Sequence, residues 1–200
     1  MAERREYRKT REPKETERAE RTREPERTER TELFESEERI RTNRQAFRSM
    51  DKETIQREIE RIEKHLFNSE NWKELDLTRQ WAKSFPDDSG VYMLFEDGQL
   101  IYVGESGSLS GRVMDMLDSR HHTVRRALGE LRFKDVPGYK KATSSIKYPE
   151  HIEKMVEETM KGFKISVLPI PFGRKEFEEY VESKYKPELN RKGKRGGANA

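Results

Sequence analysis

Two tyrosines and an arginine stand at spacings that could support proton transfer and anion binding. Tyr92 and Tyr102 lie ten residues apart in short apolar segments, and Arg112 follows the second tyrosine by ten. A tyrosine accepts a proton near neutral pH only if nearby cations lower its pKa from about 10. An arginine can bind a phosphate through two parallel hydrogen bonds. Paired tyrosines on neighbouring strands are more often packing contacts, so the pair by itself does not establish catalysis.

The full series of motifs is more specific than any one of its parts. Gly-Val-Tyr at residues 90–92 is followed by Tyr-Val-Gly at 102–104 and then by Arg112. Near the end of the chain Glu178 precedes Asn190 by twelve residues, with a proline three residues before the asparagine. In this order the motifs resemble the GIY-YIG nuclease family, with valine in place of the central isoleucine of both triplets.

The resemblance implies an activity and a set of site residues. We expect a metal-dependent endonuclease that hydrolyses DNA phosphodiester bonds, with RNA not excluded as a substrate. Tyr92, Tyr102, Arg112 and Glu178 are then the expected catalytic residues, with Asn190 supporting the site. Glu178 is expected to bind one divalent cation, Mg²⁺ or Mn²⁺, because a hard cation that keeps its waters needs only one or two carboxylates. The resemblance leaves open which tyrosine is the general base.

Glu178 is the first choice for the metal ligand among several acids of the last predicted helix. Counting back from Asn190 selects it, and its helical position supports the choice. It stands beside Phe177 and three residues before Val181, at the edge of the face expected to pack on the domain. Glu182, one turn later, is the second candidate.

Two positions depart from the family pattern. Glu105 stands where many members have a lysine next to the second triplet, and Met116 stands where many have a histidine or tyrosine four residues after the arginine. His122, or His121 before it, could replace the missing proton carrier or contact the phosphate. A polar loop before a helix explains both histidines equally well. If the departures mark lost chemistry, the protein is a catalytically inactive nucleic-acid-binding module of the same fold.

Hydrophobic periodicity predicts the elements that would position these residues. Alternating apolar residues indicate two strands, and Glu-Asp-Gly between them is a hairpin turn signal. The predicted strands cover residues 91–95, 100–104 and 164–168. Between the second and third strands we expect three helices, one over 109–117, one beginning at an N-cap at Thr123 and one beginning after Pro149. A last helix is expected over 175–185. The expected fold is mixed α/β, with a small three-stranded antiparallel sheet flanked by helices, as in the GIY-YIG fold.

Composition divides the chain into segments of different character. The first fifty residues are almost entirely Glu, Arg, Thr and Lys, with no apolar face to bury, so we expect disorder there. The expected organisation is a disordered charged tail over 1–50, a helical extension over 51–84, the nuclease-like domain over 85–192 and a flexible basic tail over 193–200.

The helical extension carries a narrow apolar stripe. Ile55, Ile59, Ile62 and Leu66 recur at spacings of four, three and four, which is typical of one helix face. A second short helix is expected over 71–83. The stripe could pack on the nuclease-like domain or support a homodimer through residues 51–83.

Bulk charge does not identify a nucleic-acid-binding protein. The 200 residues are 40% charged and 31% hydrophobic, yet the formal net charge is only +3. Local basic residues are better candidates, because flexible cations neutralise phosphates. The predicted nucleic-acid contacts are Arg112, Arg125, Arg126, Arg191, Lys192, Lys194 and Arg195. For the tail, a solvated terminus is the alternative.

The absence of certain residues excludes several kinds of chemistry. The chain has no cysteine, which rules out disulfides, a cysteine-based zinc site and a thiol nucleophile. It has no run of about 18 apolar residues, so no membrane span or membrane partner is expected. We expect a cytoplasmic protein.

Overall fold

A four-stranded antiparallel sheet is the centre of the computed structural model, which describes residues 51–190. The strands are β1 (Lys73–Glu74), β2 (Gly90–Glu96), β3 (Gln99–Ser106) and β4 (Lys164–Pro169). The helices are α1 (Lys52–Phe67), α2 (Arg79–Lys83), α3 (Leu109–Asp115), α4 (Thr123–Phe133), α5 (Glu150–Lys161) and α6 (Arg174–Tyr185), with a 3₁₀ turn at Ser69–Asn71. The α/β class expected from the sequence is confirmed, but the sheet has four strands rather than three.

Predictions for both ends of the chain fall outside the described residues. These are the disordered tail over 1–50 and the basic residues Arg191, Lys192, Lys194 and Arg195. They remain predictions.

The β2–β3 hairpin places the two tyrosines on one face of the sheet. Asp97 and Gly98 have positive φ values of 50° and 80°, the conformation of a two-residue turn that matches the twist of hairpin strands. Tyr92 lies directly opposite Gly104 on β3. Because side chains alternate between the faces of a strand, Tyr102, two residues before Gly104, points to the same side as Tyr92.

Strand β2 is central, with β3 on one side and β4 on the other. Its residues from Gly90 to Phe95 are all buried, because helices cover both faces of the sheet. One face contributes Tyr92 and Leu94 to a core shared mainly with α2, α3, α4 and α5. The opposite face contributes Val91, Met93 and Phe95 to a second core shared with α1 and α6. The site residues therefore belong to a three-layer arrangement of helices, sheet and helices.

The prediction of a helix over 71–83 is wrong except for its last residues. Strand β1 forms in this segment and pairs with β4, and Trp72 stacks on the ring of Phe95 with centroids 4.0 Å apart. Leu77 then takes a φ of 54°, which a right-handed helix cannot include. The Thr78 side chain accepts a hydrogen bond from the Trp81 amide and begins α2. Packing of the aromatic ring on the sheet thus takes precedence over helical periodicity here.

The apolar stripe of α1 packs on the sheet of its own chain. Asp51 caps the helix by accepting a hydrogen bond from the Thr54 amide, and Ile62 and Leu66 are buried in the second core. Ile59 packs against that core from its edge. A homodimer through residues 51–83 remains a prediction, although much of the stripe is already covered.

The cap of α4 lies one residue earlier than expected. His122, and not Thr123, is the N-cap, because its ring nitrogen accepts a hydrogen bond from the Val124 amide. α5 begins directly after Pro149, as expected for a residue with no amide hydrogen. None of the helices within residues 51–190 has the length and apolarity that a membrane span requires.

Gly104→Ala tests the close packing of Tyr92 across β3. A Cβ at residue 104 would overlap the hydroxyl and ring of Tyr92, whereas a Cβ at Gly107 would meet no atom within 4 Å. We expect Gly104→Ala to lower the free energy of unfolding by about 1–3 kcal/mol, the usual effect of overpacking a buried site. Gly107→Ala, the matched control, should change it by less than ~0.5 kcal/mol. Urea unfolding measures both, and equal stabilities would contradict the packing described here.

Candidate active site

The two motif tyrosines form a contacting pair beneath the loop that precedes α4. Their ring centroids are 5.8 Å apart, and their exposed fractions are 1% for Tyr92 and 8% for Tyr102. The Tyr102 hydroxyl lies 3.2 Å from the Thr123 hydroxyl. The sequence patterns correctly predict that these tyrosines are neighbours. They do not predict the contact of Tyr102 with Thr123, which the sequence marks only as a residue near the start of a helix.

The hydroxyl of Tyr92 is enclosed by protein. It lies over Gly104 and 2.9 Å from Nε2 of His122. Burial raises the pKa of Tyr92 well above 10, and the neighbouring Tyr102 and Glu178 raise it further, against the opposite effect of the Arg112 charge. Tyr92 therefore keeps its proton at neutral pH.

His122 joins the site to the start of α4. Its Nδ1 accepts a hydrogen bond of 3.1 Å from the Val124 amide, and the side chain is completely buried. Burial lowers the pKa of His122 well below 6.5, and the charges of Arg112, Arg126 and Arg125 lower it further. The ring is accordingly neutral in the folded protein at pH 7, and its burial separates it from any phosphate contact.

Arg112 lies on α3, close enough for its charge to affect both Tyr92 and His122. Its side chain is one-third exposed and forms a long ion pair of 3.5 Å with Asp115. Its Nε is buried and makes no hydrogen bond within the described part of the chain. A cationic side chain with an unused donor, partly open to solvent beside the tyrosines, is suited to binding an anion.

Glu178 lies on α6 with only 3% of its surface exposed. Phe177 beside it and Val181 one turn on are buried in the second core, which confirms the packing face expected for this helix. The charge of Glu178 influences Tyr92, so the carboxylate is close to the tyrosine pair. The structure thus brings together Tyr92, Tyr102, Arg112, Glu178 and His122.

Asn190 is fully engaged with its own chain. Its Oδ1 accepts a hydrogen bond from the Val103 amide, and its Nδ2 donates to the Val103 carbonyl at 2.8 Å and to Glu182 at 2.5 Å. The second candidate for the metal ligand, Glu182, is therefore already held by this amide. Asn190 anchors the end of the domain to β3 and to α6.

The side chain of Glu105, which replaces the lysine of many family members, points away from the tyrosines. Glu105 follows Gly104 on β3 and so points to the opposite face. There it lies 3.6 Å from Arg174 at the start of α6, and Arg174 also donates to the Ser106 carbonyl. The sequence patterns did not predict a role for Arg174, whose signal was an opposite charge 69 residues away. The other departure, Met116, is a fully buried core residue.

The structure contradicts the prediction that Arg125 binds nucleic acid. Arg125 is 1% exposed, and it donates to the Met116 carbonyl and to Glu153 of α5. Arg126 donates to the carbonyls of Ser119 and Arg120 and so holds the loop before α4. Helix periodicity places basic residues on a helix but does not reveal that a partly buried carboxylate on another helix, Glu153, pairs with one of them.

Helix α6 is also held from the side of α1. The Glu63 carboxylate, only 14% exposed, accepts hydrogen bonds from Lys184, Tyr185 and Tyr180 at 2.7, 2.5 and 3.2 Å. The helix that carries Glu178 is thereby fixed to the extension as well as to the sheet.

The acidic residues and histidines of the described part of the chain are placed so that a bound cation would have few protein ligands. Among residues 51–190 no group of three or more His, Asp or Glu side chains is placed to hold a metal ion. This excludes a full protein cage of the zinc or calcium type in that part of the chain. The single buried carboxylate whose charge acts on Tyr92, that of Glu178, agrees with Mg²⁺ or Mn²⁺, which retain water and need few protein ligands.

No family model matches the chain, and no curated protein matches it. Similar solved structures include the magnesium-bound N-terminal endonuclease domain of UvrC from Thermotoga maritima, with 19% identity and a TM-score of 0.31 over 56% of this chain and 94% of that one. A point mutant of the same domain, bound to its catalytic divalent cation, shows 18% identity and a TM-score of 0.33 over 57% and 94% of the two chains. Both are GIY-YIG endonuclease domains.

His122 should make the stability of the protein depend on pH. Its folded pKa is lowered, so between that value and about 6.5 the unfolded chain binds a proton that the folded chain does not. Stability is therefore lost as the pH falls below about 6.5, by at most about 1.4 kcal/mol per pH unit for one proton. Urea unfolding from pH 7.5 to 5.5 should show a shallower slope for His122→Gln than for the wild type. The control His121→Gln removes an exposed histidine from the same loop. Identical slopes for the wild type and His122→Gln would contradict the assignment.

Proposed function

We propose that this protein is a metal-dependent endonuclease that hydrolyses DNA phosphodiester bonds. The observation that supports the proposal is the convergence of Tyr92, Tyr102, Arg112 and Glu178. The four residues come from β2, β3, α3 and α6 and are separated by up to 86 positions in the chain. Core packing alone would not require a nearly buried carboxylate beside a tyrosine pair and a partly open arginine.

Arg112 is the proposed phosphate-binding residue. Its Nε has no hydrogen-bond partner within residues 51–190, and its one carboxylate neighbour, Asp115, is 3.5 Å away. A guanidinium with free donors can bind two phosphate oxygens at once and stabilise the charge that gathers as the bond breaks. Its charge also favours the anionic form of a nearby tyrosine.

Glu178 is the proposed metal ligand. Its side chain is held close to the tyrosines by the packing of Phe177 and Val181, and at 3% exposure its charge is poorly solvated. A buried carboxylate is the kind of oxygen ligand that Mg²⁺ and Mn²⁺ prefer. A divalent ion there supplies Lewis-acid activation of a phosphate oxygen and lowers the pKa of a bound water.

The tyrosine hydroxyls are the proposed proton-handling groups next to the attacking water. Tyr92 and Tyr102 have different surroundings, since one hydroxyl faces His122 and the other faces Thr123. Asn190 is proposed as a positioning residue, because its amide connects β3 with α6 and is saturated by protein partners. Arg126 and the basic residues after Asn190 remain proposed contacts for the DNA backbone.

Supercoiled-plasmid cleavage in Mg²⁺, Mn²⁺ or EDTA tests the function. We expect the wild type to cleave with either metal and not with EDTA. Glu178→Gln should reduce cleavage to the EDTA level, because it removes the charge that binds the metal. Arg112→Lys should reduce the rate about 100-fold or more, since the bidentate contact with the transition state is lost.

Glu179→Gln is the matched control, because Glu179 is the exposed neighbour of Glu178 on the same helix. It should cleave at the wild-type rate. Equal loss in both glutamate variants would point to damage to α6 and not to a metal site. A wild type that binds several DNA substrates in the presence of metal but cleaves none would favour the inactive binding module instead.

A further inference from the structure

Both ring nitrogens of His122 form hydrogen bonds. One partner can only donate, whereas the other can donate or accept. Nδ1 lies 3.1 Å from the Val124 backbone nitrogen, and Nε2 lies 2.9 Å from the Tyr92 hydroxyl oxygen. The side chain is completely buried, so water does not compete for either nitrogen.

The Val124 partner decides where the imidazole proton lies. A backbone N–H can only donate, so Nδ1 must be the unprotonated nitrogen. A neutral imidazole carries one proton, and that proton must then be on Nε2. Nε2–H consequently donates to the oxygen of Tyr92.

The surrounding charges resist a second proton on the ring. The cations whose fields act on His122 are Arg112 from α3 and Arg125 and Arg126 from α4, while the facing groups on β2 and β3 are the phenols Tyr92 and Tyr102. A protonated Nδ1 would also direct its hydrogen at the Val124 N–H. The ring is therefore confined to one neutral tautomer.

We propose that His122 is a positioning residue that donates a constant hydrogen bond to Tyr92 and thereby turns the Tyr92 proton towards Tyr102, whose ring centroid lies 5.8 Å away. A phenol proton prefers the plane of its ring, and the donor occupies one side of the oxygen. The Tyr92 O–H is then directed to Tyr102, the less buried of the two tyrosines. This inference rests on the proposed nuclease function and replaces the expected role of His122 as a proton shuttle.

Nitrogen-15 NMR of histidine-labelled protein tests the tautomer without any activity assay. The chain has four histidines, and the His122 signals are those missing from His122→Gln. We expect the Nε2–H tautomer at every pH from 8 to 6, with no titration. An Nδ1–H tautomer, or an imidazolium at pH 7, would overturn the proposal.

Two substitutions separate the role of His122 as a hydrogen-bond donor to Tyr92 from its role as the N-cap of α4. His122→Gln keeps an amide N–H that can reach Tyr92 but is a poor cap, whereas His122→Asn provides a good cap but is too short to reach Tyr92. We expect the asparagine variant to be the more stable and yet to have a kcat at least tenfold below that of the glutamine variant, with similar KM. If the role were only structural, activity would follow stability and the glutamine variant would be the less active.

The two proposals fail in different ways. A wild type without cleavage on any substrate would overturn the nuclease function, and with it the catalytic consequence proposed for His122. A cleaving wild type whose His122 titrates near pH 6.5 would overturn this inference alone.

Discussion

The site depends on the burial of one hydroxyl group, that of Tyr92. A buried hydroxyl without a partner costs about 1–3 kcal/mol, and Nε2 of His122, 2.9 Å away, removes this cost for Tyr92. Gly104 is needed at the opposite position on β3, because any larger side chain would occupy the same space. The requirement for a glycine in the Tyr-Val-Gly triplet is therefore steric, and the tyrosine of the other triplet imposes it.

The position of Glu178 results from contacts that surround its helix. Arg174 joins the start of α6 to β3, Glu182 near its end is bound by Asn190, and Glu63 holds the helix from the side of α1. Each of these polar contacts contributes little individually, on the order of 0.5–1.5 kcal/mol. Together with the buried apolar face of α6 they limit its movement, as the proposed role of Glu178 in binding a metal requires.

The departures from the family pattern change the surroundings of the site more than its central residues. Glu105 is paired with Arg174 on the far face of the sheet, so its negative charge is compensated away from the tyrosines. Met116 is a core residue, and a histidine from the next loop reaches Tyr92 instead. A polar partner for Tyr92 is thus supplied by His122, six residues beyond Met116.

The sequence by itself determined the α/β class, the hairpin with its paired tyrosines and the packing face of α6. These are local properties, because alternation, turn residues and helical spacing act over a few residues. The pairing of Arg125 with Glu153, the β1 strand and the hydrogen bond of His122 to Tyr92 were decided only by the tertiary structure. Each depends on groups distant in the chain, and the propensities of a segment carry no information about which distant side chain will satisfy a buried charge or hydroxyl.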